Sequence, residues 1–273
     1  MAEMLKKRLL AWGKRIAIDL AIIYLLCCVF GALMINTLMF CPHESSYSWE
    51  TPHVVNIGSG DAPVAAMWLP CAGASKTFLY SHGNGEDLGD FVELFESFRQ
   101  AGFSVLSYDY PGYGMSSGRP SEQGVYATAE TAYRFLTERC DIAPADIIIH
   151  GRSIGSGPAC YLAERFPVGG LVVESGFTSA PRVMTRRRIF PFDPFQNIQR
   201  VRNISAPKLF IHGTDDSVVP FTQGKTLFAA ARAPKANLWV DGAGHDDLTL
   251  VLGNEAYFET LKLFANPNQK ETE

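Results

Sequence analysis

Apolar positions along the 273-residue chain change their spacing several times, and each change marks a different kind of element. The first apolar run, residues 20–40, shows no polar face. Its only clearly polar residues are Asn36 and Thr37, and Asp19 lies at its near edge. Its length matches the roughly 20 apolar residues that an α-helix needs to cross the hydrocarbon core of a bilayer. Beyond it, short β-branched runs alternate with segments of helical spacing. The runs predict strands near 64–69, 77–81, 104–108, 147–150, 171–174, 209–212 and 238–240. The intervening segments predict helices near 88–101, 121–139, 155–166, 222–231 and 254–264. Strands separated by helices imply an α/β domain, with a mostly parallel sheet covered on both faces. The polar tail, 266–273, is expected to be disordered.

One junction in this pattern carries chemistry. The run DIIIH at 146–150 leads into GRSIG at 151–155, and a helical segment follows. This is the pattern G-x-S-x-G in a strand–turn–helix setting. The glycines at 151 and 155 leave room for a tight reversal that exposes Ser153 at its tip. A serine hydroxyl attacks poorly at neutral pH unless a base takes its proton and a carboxylate orients the base. Two later strand ends supply candidates. The strand at 207–212 runs into Asp215 and Asp216, and the strand at 237–241 runs into His245. Open parallel sheets place their chemistry at these carboxyl ends.

These segments together resemble the α/β-hydrolase superfamily, and within it the membrane-anchored serine hydrolases of the α/β-hydrolase domain-containing group. The matching stretches are SHGNGED at 81–87, YDYPGYGMSSG at 108–118, HGRSIGSG at 150–157, VVESGFTS at 172–179, IHGTDDSVVP at 211–220 and GAGHDDL at 242–248. The resemblance implies the α/β-hydrolase fold with a minimal cap, preceded by one transmembrane helix. It implies Ser153 as nucleophile, His245 as base and Asp216, rather than its neighbour Asp215, as acid. It also implies an oxyanion hole built from the backbone N–H groups of Ile154 and Asn84. The first strands, around Val54 and Val64, are expected to be antiparallel by the same resemblance. The substrates it suggests are lipid esters or S-acylated proteins, cleaved through an acyl-enzyme.

Other readings compete. Glu174 ends a strand and is an alternative acid. His82, His150 and His212 precede glycines at strand ends and read as hydrogen-bonding residues around the site, while His43 and His53 read as surface residues. No ligand pair has close zinc-type spacing, so neither a metal nor a cofactor is expected. Ser116 and Ser117 read as loop residues, and Asp246 and Asp247 as loop or helix-capping residues. The six cysteines do not form a disulfide framework; Cys140 and Cys160 read as buried small residues, and Cys41 and Cys71 stay open to acylation or pairing. An aminopeptidase-like amide hydrolase and a non-catalytic acyl-binding or protein-binding pseudohydrolase are the alternative functions. In the connection 176–206, the aromatic run after Arg188 is a candidate for an acyl pocket or a bilayer contact, and the arginines at 186–188 are candidates for receiving a phosphate or carboxylate head group; aromatics packed on the core with solvated arginines is the competing reading of equal weight.

Charge changes the picture at the N-terminus. Lys6, Lys7, Arg8, Lys14 and Arg15 precede the apolar run, and no Lys or Arg follows before Lys76. The positive-inside rule then places the N-terminus in the cytoplasm and the hydrolase domain extracytoplasmic. A cleaved signal peptide fits less well, because the run exceeds a usual h-region; packing of the run on the catalytic domain is a third reading. The expected organisation is a basic segment at 1–15, an anchor at 16–40, a catalytic domain at 41–265 and the tail at 266–273. The formal net charge is −4, which gives no electrostatic case for nucleic-acid binding. The remaining partners are the membrane and a small-molecule or lipid ester.

Overall fold

A computed structural model describes residues 1–59 and 62–267. The expectation of a disordered tail falls outside the described residues for 268–273.

The apolar run forms the second half of a long helix, α1 (Ala2–Met39). The chain after it then builds β1 (Val54–Asn56), β2 (Ala65–Leu69), β3 (Thr77–Ser81), α2 (Val92–Gln100), β4 (Ser104–Tyr108), α3 (Glu122–Arg134), β5 (Ile147–Arg152), α4 (Ser156–Arg165) and β6 (Gly170–Glu174). Two short helices follow, α5 (Ala180–Thr185) and α6 (Asn197–Arg200). The chain ends with β7 (Lys208–Gly213), α7 (Phe221–Ala230), β8 (Lys235–Val240), α8 (Leu248–Leu252) and α9 (Asn254–Ala265).

The strands form one eight-stranded sheet in the order β1-β2-β4-β3-β5-β6-β7-β8. The pairs β1–β2 and β2–β4 are antiparallel, and all later pairs are parallel. Strands β3, β4, β5, β6 and β7 are buried along almost their whole length. Parallel strands covered on both faces must be apolar throughout, which is why the sequence shows unbroken runs there instead of alternation. One core layer packs α3, α4 and α7 against the sheet through residues such as Ala129, Leu162 and Leu227. The other packs α2 and α9 through Phe95, Phe98 and Leu261.

Several boundaries differ from the sequence reading. The segment 88–101 opens with a 3₁₀ turn, Leu88–Phe91, whose N-cap Asp87 forms a reciprocal capping box with Asp90. The helix predicted over 121–139 is α-helical only to Arg134 and widens into a π-turn at Phe135–Arg139. Strand β8 begins at Lys235, earlier than its apolar pattern shows. It is an edge strand whose first residues are partly or fully exposed, so burial imposes no pattern on them.

Helix α1 is long and apolar enough to cross a membrane. Its second half also touches the α/β region. The Tyr24 hydroxyl donates to the Ile189 carbonyl at 2.7 Å, and Gly31 leaves room for the Phe192 ring. At its exit, Phe40 is buried and meets Tyr113 and Phe195 edge-on. The connection 176–206 forms no separate domain. Phe195 is fully buried against Gly157 and Tyr126, whereas Phe190 and Phe192 stack on each other beside α1, and Arg186, Arg187 and Arg188 are exposed.

Candidate active site

Strand β5 delivers Ser153 at the centre of the sheet, and the chain turns sharply there. Ser153 has φ 53°, a left-handed conformation that costs a non-glycine residue energy and persists only where its surroundings enforce it. Close packing around it is the enforcing feature. A Cβ on Gly155 would run into the Ser81 carbonyl of β3, and one on Gly151 would meet the Gly155 carbonyl and the Ala159 methyl. The turn fits between the neighbouring strand and its own helix only because both positions lack a side chain.

Strands β7 and β8 end on the same rim and bring in the two other residues. His245 Nε2 lies 3.0 Å from Ser153 Oγ. His245 Nδ1 lies 2.8 Å from Asp216 Oδ2. Asp216 is buried, and its other oxygen accepts the backbone N–H groups of Val218 at 3.0 Å and Val219 at 2.7 Å. His212 Nε2 approaches Asp216 Oδ2 at 3.3 Å while also bonding the Val219 carbonyl at 2.9 Å. Burial by itself would raise the Asp216 carboxyl. The hydrogen bonds from His212, His245 and Val219, with the charge of His245, outweigh it and hold the group well below the usual carboxylate range. An ionised Asp216 accepts a proton bond from Nδ1 of His245. That fixes the tautomer in which Nε2 is free to accept from Ser153.

The alternatives for the acid lie elsewhere. Asp215 is exposed, one residue away, and turned toward Thr214. Glu174 is buried and bonded to His150 Nε2 at 3.0 Å and to the Tyr257 hydroxyl at 2.6 Å. His150 therefore lies inside β5, in the core, and not in a loop around the site. His82 stacks on Tyr110 and bonds the Gly83 carbonyl at 2.8 Å. Asp247 accepts from the Gly244 N–H at 2.6 Å, closing the turn that carries His245.

Asn84 lies in the loop after β3, and Ile154 directly follows Ser153. Among the described residues, no side-chain acceptor or loop carbonyl takes the N–H of either. The Asn84 side chain is committed, since its Oδ1 accepts from the Cys41 N–H at 3.0 Å and from the Tyr113 hydroxyl at 2.6 Å. Among the described residues, one group of side chains has metal-like spacing: His43, Asp87 and Asp90. Both Asp87 oxygens are already taken by Ser46 and Gly89.

Two charged residues beside Ser153 were not singled out in the sequence. Arg152, inside the G-x-S-x-G motif, and Glu86, inside the loop after β3, form an ion pair beside Ser153. Neither residue type is specified by the motif, so only their juxtaposition in the fold reveals them.

The fold and this rim define an α/β hydrolase, and the chain belongs to that family. A family model for the alpha/beta hydrolase fold matches residues 76–182. Among individual proteins, the chain is similar to alpha/beta hydrolase domain-containing protein 17B of Homo sapiens, with 39% identity over 207 residues, covering 74% of this chain and 71% of that protein. It is also similar to alpha/beta hydrolase domain-containing protein 17C of Mus musculus, at 38% over 210 residues, covering 75% and 64%. Among solved structures, an alpha-beta serine hydrolase homologue from Coxiella burnetii superimposes with TM-score 0.63 at 20% identity, over 79% of this chain and 100% of that one. An esterase from Pyrococcus furiosus gives TM-score 0.66 at 17% identity, over 84% and 98%. At such identities the structural likeness concerns the fold.

Proposed function

We propose that the protein is a membrane-tethered serine hydrolase of carboxylic esters or thioesters, acting on a lipid or an acylated substrate. The observation that carries this reading is the continuous chain Ser153 Oγ–His245–Asp216, with links of 3.0 and 2.8 Å.

The chemistry follows from the geometry. Ser153 Oγ attacks the acyl carbon while His245 Nε2 takes its proton. Asp216 holds the imidazolium by its Nδ1–H. The developing oxyanion is received by the N–H groups of Ile154 and Asn84, an interaction typically worth about 3 kcal/mol of barrier per donor. His245 returns the proton to the leaving alcohol or thiol. Water, activated by the same histidine, then releases the acid from the acyl-enzyme. No metal or cofactor enters the sequence of steps. Helix α1 supplies the tether, and the basic residues before its apolar run favour a cytoplasmic N-terminus with the domain on the opposite side. A tether concentrates the enzyme where apolar acyl substrates reside.

A fluorophosphonate probe tests the reading. Wild-type protein should be labelled stoichiometrically and hydrolyse p-nitrophenyl esters, and Ser153→Ala should lose both. A folded wild-type protein that takes no label and turns over no ester would overturn it.

A further inference from the structure

We propose that Arg152 is a positioning residue that locks together the two loops flanking Ser153. The inference rests on the serine-hydrolase reading of the site and concerns how its parts are kept in register.

Arg152 projects from the last position of β5, next to the nucleophile, and its side chain is only 11% exposed. Every nitrogen of its guanidinium faces a different structural element. Nη1 pairs with Glu86 in the loop after β3. Nε faces Glu174, at the end of β6, at 3.7 Å. Nη2 donates to Asp246 Oδ1 at 2.5 Å and to the backbone carbonyl of His245 at 3.3 Å. The planar fork of an arginine suits this arrangement, because it presents several fixed N–H directions at once.

Each contact continues into the apparatus around Ser153. The second oxygen of Glu86 accepts the N–H of Gly83 at 2.6 Å, one residue before Asn84. Among the described residues, Arg152 is the one group that donates to the His245 carbonyl. The other oxygen of Glu174 is fixed by His150 and Tyr257 in the core. Arg152 thus ties the Asn84 loop and the His245 loop to the rigid centre of the sheet. Burial would lower the Arg152 guanidinium, but the charges of Glu86 and Glu174 overcome this and keep it fully protonated. The guanidinium therefore carries its charge throughout. A 1 Å displacement of a positioned group costs catalysis on the order of 100-fold, so a residue that sets two such positions is expected to act on turnover and not on ground-state binding.

The test compares full-length wild type, Arg152→Lys, Arg152→Gln, Glu86→Gln and Asp246→Asn in detergent micelles, using a p-nitrophenyl ester and thermal melting. Wild-type turnover establishes the underlying reading independently of the variants. Arg152→Gln, where folded, should lose at least tenfold in kcat with KM within twofold, and Arg152→Lys should recover part of the loss, since one ammonium cannot serve all three carboxylates. Removing a buried cation from Glu174 threatens folding, so the single carboxylate variants stand as a second line. Asp246 is 78% exposed, and neither it nor Glu86 leaves a buried charge unpaired when neutralised. Each should lower kcat severalfold at unchanged KM, and their combination should cost less than the product of the two. Folded variants whose kcat stays within twofold of wild type, or whose loss lies in KM alone, would overturn the proposal.

Discussion

At the scale of single residues, the site is decided by a few atoms with little freedom. Ser153 holds a left-handed backbone because Gly151 and Gly155 allow the chain to lie against β3. Asp216 divides its two oxygens between distinct tasks: one accepts two backbone N–H groups that shape the turn after β7, and the other faces His245. Replacing Asp216 with asparagine keeps an acceptor for the turn but loses the charge that selects the histidine tautomer. Asp216→Asn should therefore still fold but lose about 10³- to 10⁴-fold in kcat, read from ester hydrolysis at neutral pH, and should melt somewhat below wild type because the ionised carboxylate also stabilises the fold. Glu174 has a different role. Burial by itself would raise its carboxyl, but the hydrogen bond and charge of His150, the charge of Arg152 and the Tyr257 hydroxyl together pull it down to about 2. A carboxylate whose folded value lies below its unfolded one stabilises the protein at every pH above the unfolded value, and that contribution is lost as pH falls toward the folded value. Thermal stability should accordingly decline as pH drops from about 4.5 toward 2, and Glu174→Gln should flatten that acid limb while lowering stability at neutral pH.

At the scale of elements, legibility follows burial. Strands β3 to β7 were readable because both of their faces are covered, which forces uninterrupted apolar runs. The start of β8 was not, because an edge position tolerates Lys235, Ala236 and Asn237 alike. The order Ser153, Asp216, His245 was readable because each residue follows a strand end in a recognisable local motif. Arg152, Glu86, Glu174 and Asp246 were not readable as a group, because they lie on four separate segments that only the sheet order brings together. The connection between β6 and β7 was ambiguous between a lipid pocket and core packing, and its aromatics divide. Phe195 belongs to the core, seated against Gly157, Tyr126 and Phe40. Phe195→Ala should cost about 3–5 kcal/mol in chemical denaturation, the usual range for a buried phenylalanine. A loss below about 1 kcal/mol would show that this segment is not part of the cooperative core.

At the scale of the whole molecule, α1 is the feature that a water-soluble hydrolase would not carry. Leu20, Ile22, Ile23, Leu25, Leu26, Val29, Phe30 and Leu33 are all at least half exposed along one helix. A continuous apolar surface of this kind marks contact with a bilayer or with another protein. The two occupants differ in a measurable way. Hydrocarbon covers a helix on all free sides and holds it without regard to pH or salt, whereas a protein partner is released when its contacts titrate. The full-length protein should therefore sediment with membranes and stay there through alkaline carbonate extraction. Recovery in the soluble fraction as an oligomer would assign the apolar helix to a protein contact instead. Orientation is read separately: protease added outside sealed cells should digest the catalytic domain if the basic residues before the anchor keep the N-terminus in the cytoplasm. In either orientation Phe40 and Cys41 leave the helix directly onto Tyr113 and Asn84. Helix α1 thus ends against the loop proposed to receive the oxyanion, with no flexible spacer between the two.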